Sequence, residues 1–451
     1  MEPESQLARM GLFDARVPRY TSYPTAPHFA ASTGPDRFAH WIEAIPAGAV
    51  ISLYLHVPFC RRLCWFCACR TQGTQSDSPI RAYVETLKAE LALFARHLPV
   101  GVRLGRLHWG GGTPTLLPPD AIAELAGRVA EVTPFAPGAE FSVEIDPNEI
   151  DEARLDALAA AGMNRASIGV QDFDPEIQKA IGREQGFEIT RDAIAAIRER
   201  GVHSLNADIL FGLPHQTPER IVTSVQKLLS LSPDRVALYG YAHVPWMSRR
   251  QQLIPSEALP TPQERLKLFD VARELFLWDG YHEIGIDHFA RPTDGLAVAQ
   301  AEGRLKRNFQ GYTDDPSDVL VGLGASSISR FPQGYAQNAP STGDYTAAVR
   351  EGRFATTKGH VFTQEDLLRG RIIEAIMCDF SVSREDVVAR FPGSGELVDR
   401  LFEEVDSRFK GMVKRDKWGL SIPQPARALT RMIARAFDAY DMAKTGHSSA
   451  I

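Results

Sequence analysis

The sequence predicts an α/β fold in which a parallel sheet curls toward a barrel, and three observations predict it. From about residue 50, short β-branched or aromatic runs alternate with longer helical patterns, as βα units of a parallel sheet do. Such crossovers are right-handed, which curls the sheet in one sense. One face is polar in strand after strand, whereas a parallel sheet buried on both sides reads as nearly continuous apolar residues. A barrel with a polar inner face and an outer face packed on helices accounts for all three; a half-exposed sheet with one wet face is the alternative.

The elements follow in order. Residues 1–48 are irregular and Pro-rich, with RYTSYPT at 19–25, and are expected to form an extension over the barrel mouth. ISLYLHV (51–57) is the first strand, with Ser52, Tyr54 and His56 alternating with Leu53, Leu55 and Val57, so that the two sets face opposite ways. A helix over 80–98 leads to the strand GRLHWG (105–110), and a helix over 121–132 leads to EFSVEID (140–146), which puts Ser142, Glu144 and Asp146 on one face. After a helix over 152–162 comes RASIGVQ (165–171), with Ser167, Gly169 and Gln171 together. SLNADILFG (204–212) pairs Asn206 with Asp208; a helix over 219–231 then precedes RVALYGYAH (235–243), with Tyr239, Tyr241 and His243. GYHEIGID (280–287) reads as a further strand. Residues 49–350 are thus expected to be one barrel domain. Beyond it the pattern changes to amphipathic helices over 367–380, 383–391, 395–413 and 428–443, with a short strand at 417–422. Residues 351–451 therefore read as a small, mainly helical domain of winged-helix type, whose tail KTGHSSAI (444–451) is expected to be disordered.

Composition narrows the function classes. With 44% hydrophobic and 24% charged residues, the chain is an ordinary globular protein with a sizeable core. The net charge of -6 and the lack of a basic stripe recommend no nucleic-acid partner. No run of 18 apolar residues occurs, so no membrane span is expected, and the N-terminus lacks the charged and apolar regions of a secretory signal. A cytoplasmic location and, with no interface signal visible, a monomer are the expectations.

Four of the five cysteines fall within ten residues: Cys60, Cys64, Cys67 and Cys69. In a cytosolic chain such a cluster is metal-binding or catalytic rather than disulfide-forming; Cys378, alone in IIEAIMCDF, reads as a core residue. Three thiolates in one loop can ligate three irons of a cubane cluster, leaving the fourth iron open to substrate. Structural zinc is the alternative, but it favours a second ligand pair at a distance, and no such Cys/His pair exists here. The loop follows the first strand directly and so sits at the C-terminal rim, where barrel active sites are built. Phe66 between the ligands would exclude water; Trp65 reads as ordinary packing. The run Gly110-Gly111-Gly112-Thr113-Pro114 ends the second strand, either as a tight turn or as a concavity of N–H groups for a ligand. Glu144, Gln171 and Asp208 each lie near a strand end, suited to an amino group or ribose hydroxyls, or else to satisfied core polar roles. Arg183 follows a glycine in a loop and is a further candidate, with a surface charge as the plain alternative.

The stretches YLHVPFCRRLCWFCAC (54–69) and HWGGGTPT (108–115) resemble the radical S-adenosylmethionine superfamily. Cys69, EIDP (144–147), GVQDF (169–173), DILFGLP (208–214), YAHVP (241–245), GIDHFA (285–290), RNFQGYT (307–313) and GLGASSIS (322–329) narrow the resemblance to its oxygen-independent coproporphyrinogen III oxidases. It covers nearly the whole chain; Trp65, where tyrosine is common, and RTQGTQ after Cys69 are the departures. The resemblance implies a partial (β/α)6 barrel and one [4Fe–4S] cluster on Cys60, Cys64 and Cys67, with Cys69 an extra cysteine that is not a ligand. It implies two S-adenosylmethionine molecules, the first at Tyr54, Gly111, Glu144 and Ile328, the second at Phe66, Gly112, Thr113, Gln171, Arg183, Asp208 and Ala242. It further implies an electron donor as partner and coproporphyrinogen III as substrate, two of whose propionates a 5′-deoxyadenosyl radical converts to vinyl groups, giving protoporphyrinogen IX. A haem-binding chaperone of the same superfamily is the second reading; it typically lacks the fourth cysteine and the RNFQGYT stretch.

Overall fold

The computed structural model describes residues 5–441 and 448–451. Its centre is a twelve-stranded sheet. In chain order the strands are β1 (Val50–Val57), β2 (Arg103–Gly111), β3 (Phe135–Ile145), β4 (Arg165–Gln171), β5 (Ser204–Phe211), β6 (Arg235–Gly240), β7 (His282–Ile284), β8 (His288–Ala290), β9 (Leu320–Leu323), β10 (Ile328–Phe331), β11 (Gly334–Asn338) and β12 (Thr356–Val361). Their order across the sheet is β12-β11-β10-β9-β1-β2-β3-β4-β5-β6-β8-β7. β9 and β1 to β6 run parallel; the strands beyond them on both flanks are antiparallel. The α/β half-barrel and all six of its sequence-predicted parallel strands are present.

Helices cover the outer face: α1 (Ser78–His97), α2 (Pro119–Val132), α3 (Glu152–Ala160), α4 (Phe187–Glu199), α5 (Pro218–Ser230) and α6 (Pro262–Trp278). The buried residues Ile80, Tyr83, Val84, Leu87, Leu91 and Phe94 of α1 recur at three- and four-residue spacing, one stripe of a 3.6-residue helix. α6 starts at a capping box, with Thr261 and Glu264 satisfying each other's backbone N–H groups. The stripes meet the outward residues of the strands, such as Leu53, Leu55, Leu107, Trp109, Val143 and Ile168, in one continuous core. A second core joins Leu12, Val17, Tyr20 and Tyr23 of the N-terminal segment to Ile372, Ile376, Phe402 and Phe437. Its helices are Gln364–Asp379, Arg384–Arg390, Gly395–Arg408 and Thr430–Ala436, with a three-stranded antiparallel sheet of Ser381–Ser383, Lys414–Arg415 and Gly419–Ser421. Cys378 is fully buried.

The structure corrects several expectations. The stretch 280–287 contributes only β7, a three-residue antiparallel edge, and β6 stops at Gly240, so Tyr241 and His243 lie in the following loop. β9 to β12 continue the sheet to Val361. Of the tail expected to be disordered, residues 444–447 lie outside the described residues, whereas Ser449 bridges Arg16 and the Ala450 N–H donates to Ala15 O at 2.8 Å. The helix over 428–443 is a 3-10 turn at Gln424–Leu429 followed by Thr430–Ala436; residues 442–443 lie outside the described residues. Among the described residues no helix is long and apolar enough to cross a membrane.

Candidate active site

The cysteine loop leaves the C-terminal end of β1. It is pinned by two other rim segments. The Trp65 N–H donates to Ile181 O at 2.9 Å, and the Trp65 ring lies against Gly182, where an added Cβ would come within 2.8 Å of it. From the loop after β6, Ser248 Oγ donates to Cys67 O at 3.1 Å, Gln251 Nε2 to Phe66 O at 2.7 Å and Arg250 Nη2 to Cys69 O at 3.2 Å. The glycine run at the end of β2 joins on: the Gly112 N–H donates to Val57 O and the Thr113 N–H to Phe59 O, both at 2.8 Å. Two glycines are needed here. Gly111 has φ +116°, and a Cβ would sit 2.5 Å from the His56 ring; at Gly112 it would sit 2.5 Å from Phe59 O.

The inward residues of the strands complete the rim. Glu144 Oε2 accepts from the Gly111 N–H at 3.0 Å, and its Oε1 lies 3.3 Å from His108 Nε2. Burial pushes the Glu144 carboxyl up, but the hydrogen bond and charge of His108 with the Gly111 N–H outweigh it and hold the group below its usual range. Burial, reinforced by the Glu144 charge, pushes Asp208 up to about 7 although Asn206 Nδ2 donates to it at 2.9 Å. Tyr54 Oη and His56 Nδ1 share a hydrogen bond of 2.9 Å, and the Tyr54 ring stacks on His108 with centroids 5.7 Å apart. Gln171, at φ +69°, is a non-glycine residue in left-handed backbone at the mouth of the site, a placement that clusters at functional positions.

Arg183 is not a surface charge, the plain alternative for it. Its side chain is 12% exposed, with Nη1 3.2 Å from Asp146 Oδ2 and 3.5 Å from Cys64 Sγ, and Nη2 donating to Gly169 O at 2.9 Å. Its Nε is buried without a partner. Among the thiols, burial pushes Cys60 up to about 11 and Cys64 upward. The Cys69 side chain, and its N–H donating to Cys67 Sγ at 3.4 Å, hold Cys67 below the usual thiol range, while Cys69 itself is pushed well up.

Two cavities open among these residues. One, of about 180 Å³, is lined by Cys60, Cys64, Cys67 and Cys69 with Phe66, Gly111, Gly112, Thr113, Glu144, Gln171, Arg183 and Asp208. The other, of about 590 Å³, occupies the barrel interior and is lined by Tyr54, Cys69, Gly111, Glu144, Asp208 and Ile328, with Arg106, Arg165 and Arg235 toward its floor. Ala242 lines neither; its carbonyl accepts from Gln251 Nε2 at 3.1 Å. Sequence reasoning missed His108 and the three floor arginines. They occupy inward positions of strands already recognised, so the alternation that picked out Glu144 marks them too. The floor is a closed ion network: Arg106 lies 3.2 Å from Glu140 and 2.9 Å from Asp314, and Arg235 lies 2.7 Å from Asp294.

The residues fit an iron–sulfur cluster better than a single metal ion. Among the described residues no three His, Cys, Asp or Glu side chains converge on one ion, as structural zinc requires. A cubane instead distributes its thiolates over separate irons, and three thiols spread around one cavity suit that. Two carboxylates, Glu144 and Asp208, facing the same space suit a ligand that carries cationic groups, and the unpartnered Arg183 Nε is a donor left for it.

Comparison with known proteins places these features. The model of the radical SAM superfamily matches residues 54–228. An oxygen-independent coproporphyrinogen III oxidase of Paracoccus denitrificans is 68% identical over 451 residues, covering 100% of both chains. One from Escherichia coli K12 is 37% identical, covering 96% of this chain and 95% of its own. The solved structure of coproporphyrinogen III oxidase from Escherichia coli, described as a radical SAM enzyme, superposes with a TM-score of 0.89 at 36% identity, covering 98% of this chain and 100% of its own.

Proposed function

The chain belongs to the oxygen-independent coproporphyrinogen III oxidases of the radical S-adenosylmethionine superfamily, and on that premise we propose that it converts two propionate side chains of coproporphyrinogen III to vinyl groups without oxygen, giving protoporphyrinogen IX. The observation that carries this reading is the convergence of three thiols, the Gly111–Glu144 pair and Asp208 on one cavity system, in a chain 68% identical over its whole length to such an oxidase. The haem-chaperone reading has no observation in its favour.

A [4Fe–4S] cluster and S-adenosylmethionine, when bound, supply the one-electron chemistry that removes an unactivated hydrogen atom from the substrate. The chain's own residues hold and shield. Cys60, Cys64 and Cys67 offer thiolates to the cluster, and Cys69 stands beside Cys67. The ionised Glu144 carboxylate binds an ammonium group, fixed in place by the Gly111 N–H and His108. Tyr54 and Ile328 wall the larger cavity for a first S-adenosylmethionine. Gly112, Thr113, Gln171, Arg183 and Asp208 line the smaller one for a second, with Phe66 excluding water; Ala242 helps to hold Gln251, which in turn holds the Phe66 carbonyl. The barrel cavity of about 590 Å³ lies within the size range of small-molecule sites and receives the tetrapyrrole. We assign residues 1–48 as the cover of the barrel mouth, 49–350 as the catalytic barrel and 351–451 as the mainly helical domain. We take the enzyme to act as a cytoplasmic monomer.

The test is anaerobic. The protein is reconstituted with iron and sulfide, reduced, and given S-adenosylmethionine and coproporphyrinogen III; 5′-deoxyadenosine and protoporphyrinogen IX are sought by mass spectrometry, with Cys64→Ala as control. Both products, absent in the control, are expected. 5′-Deoxyadenosine without decarboxylated porphyrin would overturn the substrate, and neither product from a protein that holds its cluster would overturn the reading.

A further inference from the structure

Two further polar side chains face the barrel cavity, Tyr239 and His288. They stand on neighbouring strands, Tyr239 near the end of β6 and His288 at the start of the antiparallel β8, where it pairs with Ala237. With Asp287 they form a chain of three groups. Asp287 Oδ1 lies 2.7 Å from His288 Nδ1, and His288 Nε2 lies 3.4 Å from Tyr239 Oη. The far end of this chain is fixed. Arg307 Nη2 is 3.7 Å from Asp287 Oδ2. Burial pushes the Asp287 carboxyl up, but Arg307, His288 and Arg19 outweigh it and hold the group down to about 2, so it is ionised and only accepts. The Tyr312 ring packs edge-on against His288 with centroids 5.1 Å apart, which holds the imidazole plane. The near end is open. Gly311 lies beside the pair, where an added Cβ would come within 3.3 Å of Tyr239 Oη and 3.4 Å of His288 Nε2, so no side chain covers them from that direction.

The direction of each hydrogen bond follows. Asp287 takes the Nδ1 proton, which in the neutral ring leaves Nε2 an acceptor. Burial, then the charges of Asp208 and Asp287, push the Tyr239 phenol well above its usual range, so it keeps its proton, and that proton points to Nε2. The tyrosine therefore turns oxygen lone pairs, not a proton, toward the cavity. We propose that Tyr239 binds a pyrrole N–H of the porphyrinogen, with His288 and Asp287 as positioning residues that hold its hydroxyl proton away from the substrate. The inference rests on the assigned substrate. On coproporphyrinogen III the ionised propionates only accept, and the methyl and methylene groups do neither. The four pyrrole N–H groups are the donors that this oxygen can meet. The consequence is selection by oxidation state. An oxidised porphyrin carries the same four propionates, but it has two N–H groups, both turned into the plane of a flat ring. A site built to accept from a substrate N–H discriminates against an analogue that cannot offer one, where carboxylate contacts alone would not.

The experiment uses the reconstituted full chain under anaerobic conditions. KM and kcat for coproporphyrinogen III, and the inhibition constant of coproporphyrin III, are measured for the wild type and for Tyr239→Phe, which keeps the ring and removes the acceptor. KM is expected to rise about 3–10-fold. Because the contact is made in ground and transition states alike, kcat should stay within about twofold, and the inhibition constant of coproporphyrin III should move by less than about twofold. His288→Gln, whose amide oxygen still accepts the Tyr239 proton, should keep KM within about threefold of the wild type, and His288→Leu, which has no acceptor, should match Tyr239→Phe. Circular dichroism, iron content and the Kd for S-adenosylmethionine should be unchanged in Tyr239→Phe, which carries the test if the leucine variant does not fold. An unchanged KM in Tyr239→Phe, an equal loss of affinity for coproporphyrin III, or equal effects of the two folded His288 variants would each overturn the proposal and leave the assigned reaction standing. A wild type that makes no protoporphyrinogen IX from coproporphyrinogen III would overturn the assigned reaction, and the proposal with it.

Discussion

At the scale of single residues, Glu144 organises the rim. It accepts from the Gly111 N–H and pairs with His108, so it is fixed before any ligand arrives. Replacing it by glutamine keeps the shape and removes the charge. A charge-assisted hydrogen bond contributes about 1.5–3 kcal/mol, so Glu144→Gln should raise the Kd for S-adenosylmethionine by about 10–100-fold, as read by anaerobic titration calorimetry. Its carboxyl is held down against the upward push of burial by His108 first and Gly111 second. Removing His108 lets burial prevail: in His108→Phe the carboxyl should protonate at higher pH, and binding should weaken as pH falls where the wild type still binds fully. Glu144 and Asp208 were legible in the sequence because strand alternation puts them on the polar face. Arg183 was not. Nothing local to Ile181-Gly182-Arg183 announces that the chain folds back to set this guanidinium beside Cys64 and Asp146. Ala242 was named through resemblance alone, and its side chain lines neither cavity.

Among elements, helix α1 reaches across to the far flank of the sheet through one buried carboxylate. Glu90 is fully buried and accepts from the Gly324 N–H at 2.7 Å, Tyr345 Oη at 2.7 Å and Asn338 Nδ2 at 2.8 Å, anchoring the loop between β9 and β10 that ends at Ile328. Burial pushes it up to about 7, and the three donors restrain the rise. Because the folded chain holds this proton more tightly than the unfolded one, the contribution is complete below about pH 4.5 and lost as pH rises through about 7. The loss is about 3 kcal/mol at most. Glu90→Gln has no proton to lose, so its urea midpoint should fall less than the wild type's between pH 5 and 8. The helix Gln364–Asp379 offers a second check. Its cap Thr363 accepts from the Asp366 N–H at 3.1 Å, and Thr363→Ala should destabilise the second core by about 1 kcal/mol in the same assay. The six central strands were legible because each is a long β-branched or aromatic run. β9 was not: it has four residues, includes Gly322, and turns back almost at once into β10, so the run is too short for alternation to register.

Across the whole molecule, two cores share one chain. The barrel core could be read from alternation, since sheet and helices are sequence neighbours. The second could not, because it joins residues 12–23 to residues 368–437, and no periodicity links segments so far apart. That segment also reaches the rim: Arg19 Nη2 donates to Gly240 O at 2.6 Å, at the end of β6. Deleting residues 1–25 removes Leu12, Val17, Tyr20 and Tyr23 from the second core, at about 1.5–3 kcal/mol for each buried side chain. Calorimetry should show the helical unit unfolding at lower temperature with the sheet transition retained, while iron content stays and turnover falls. An unchanged turnover rate would remove the covering role assigned to this segment.

The bonds that seat the segment have a bearing on synthesis. Tyr20 donates to Asp438, 418 residues away, and Arg431 holds the Val17 and Pro18 carbonyls. At ribosomal speeds of about 5–20 residues per second, the segment waits roughly 20–80 s for its partners to be made. The cysteine loop and the strands around it emerge well before then. Iron and sulfide can therefore be loaded on the nascent chain before the segment is seated. The first residues translated are the last to lock, because their partners are made last.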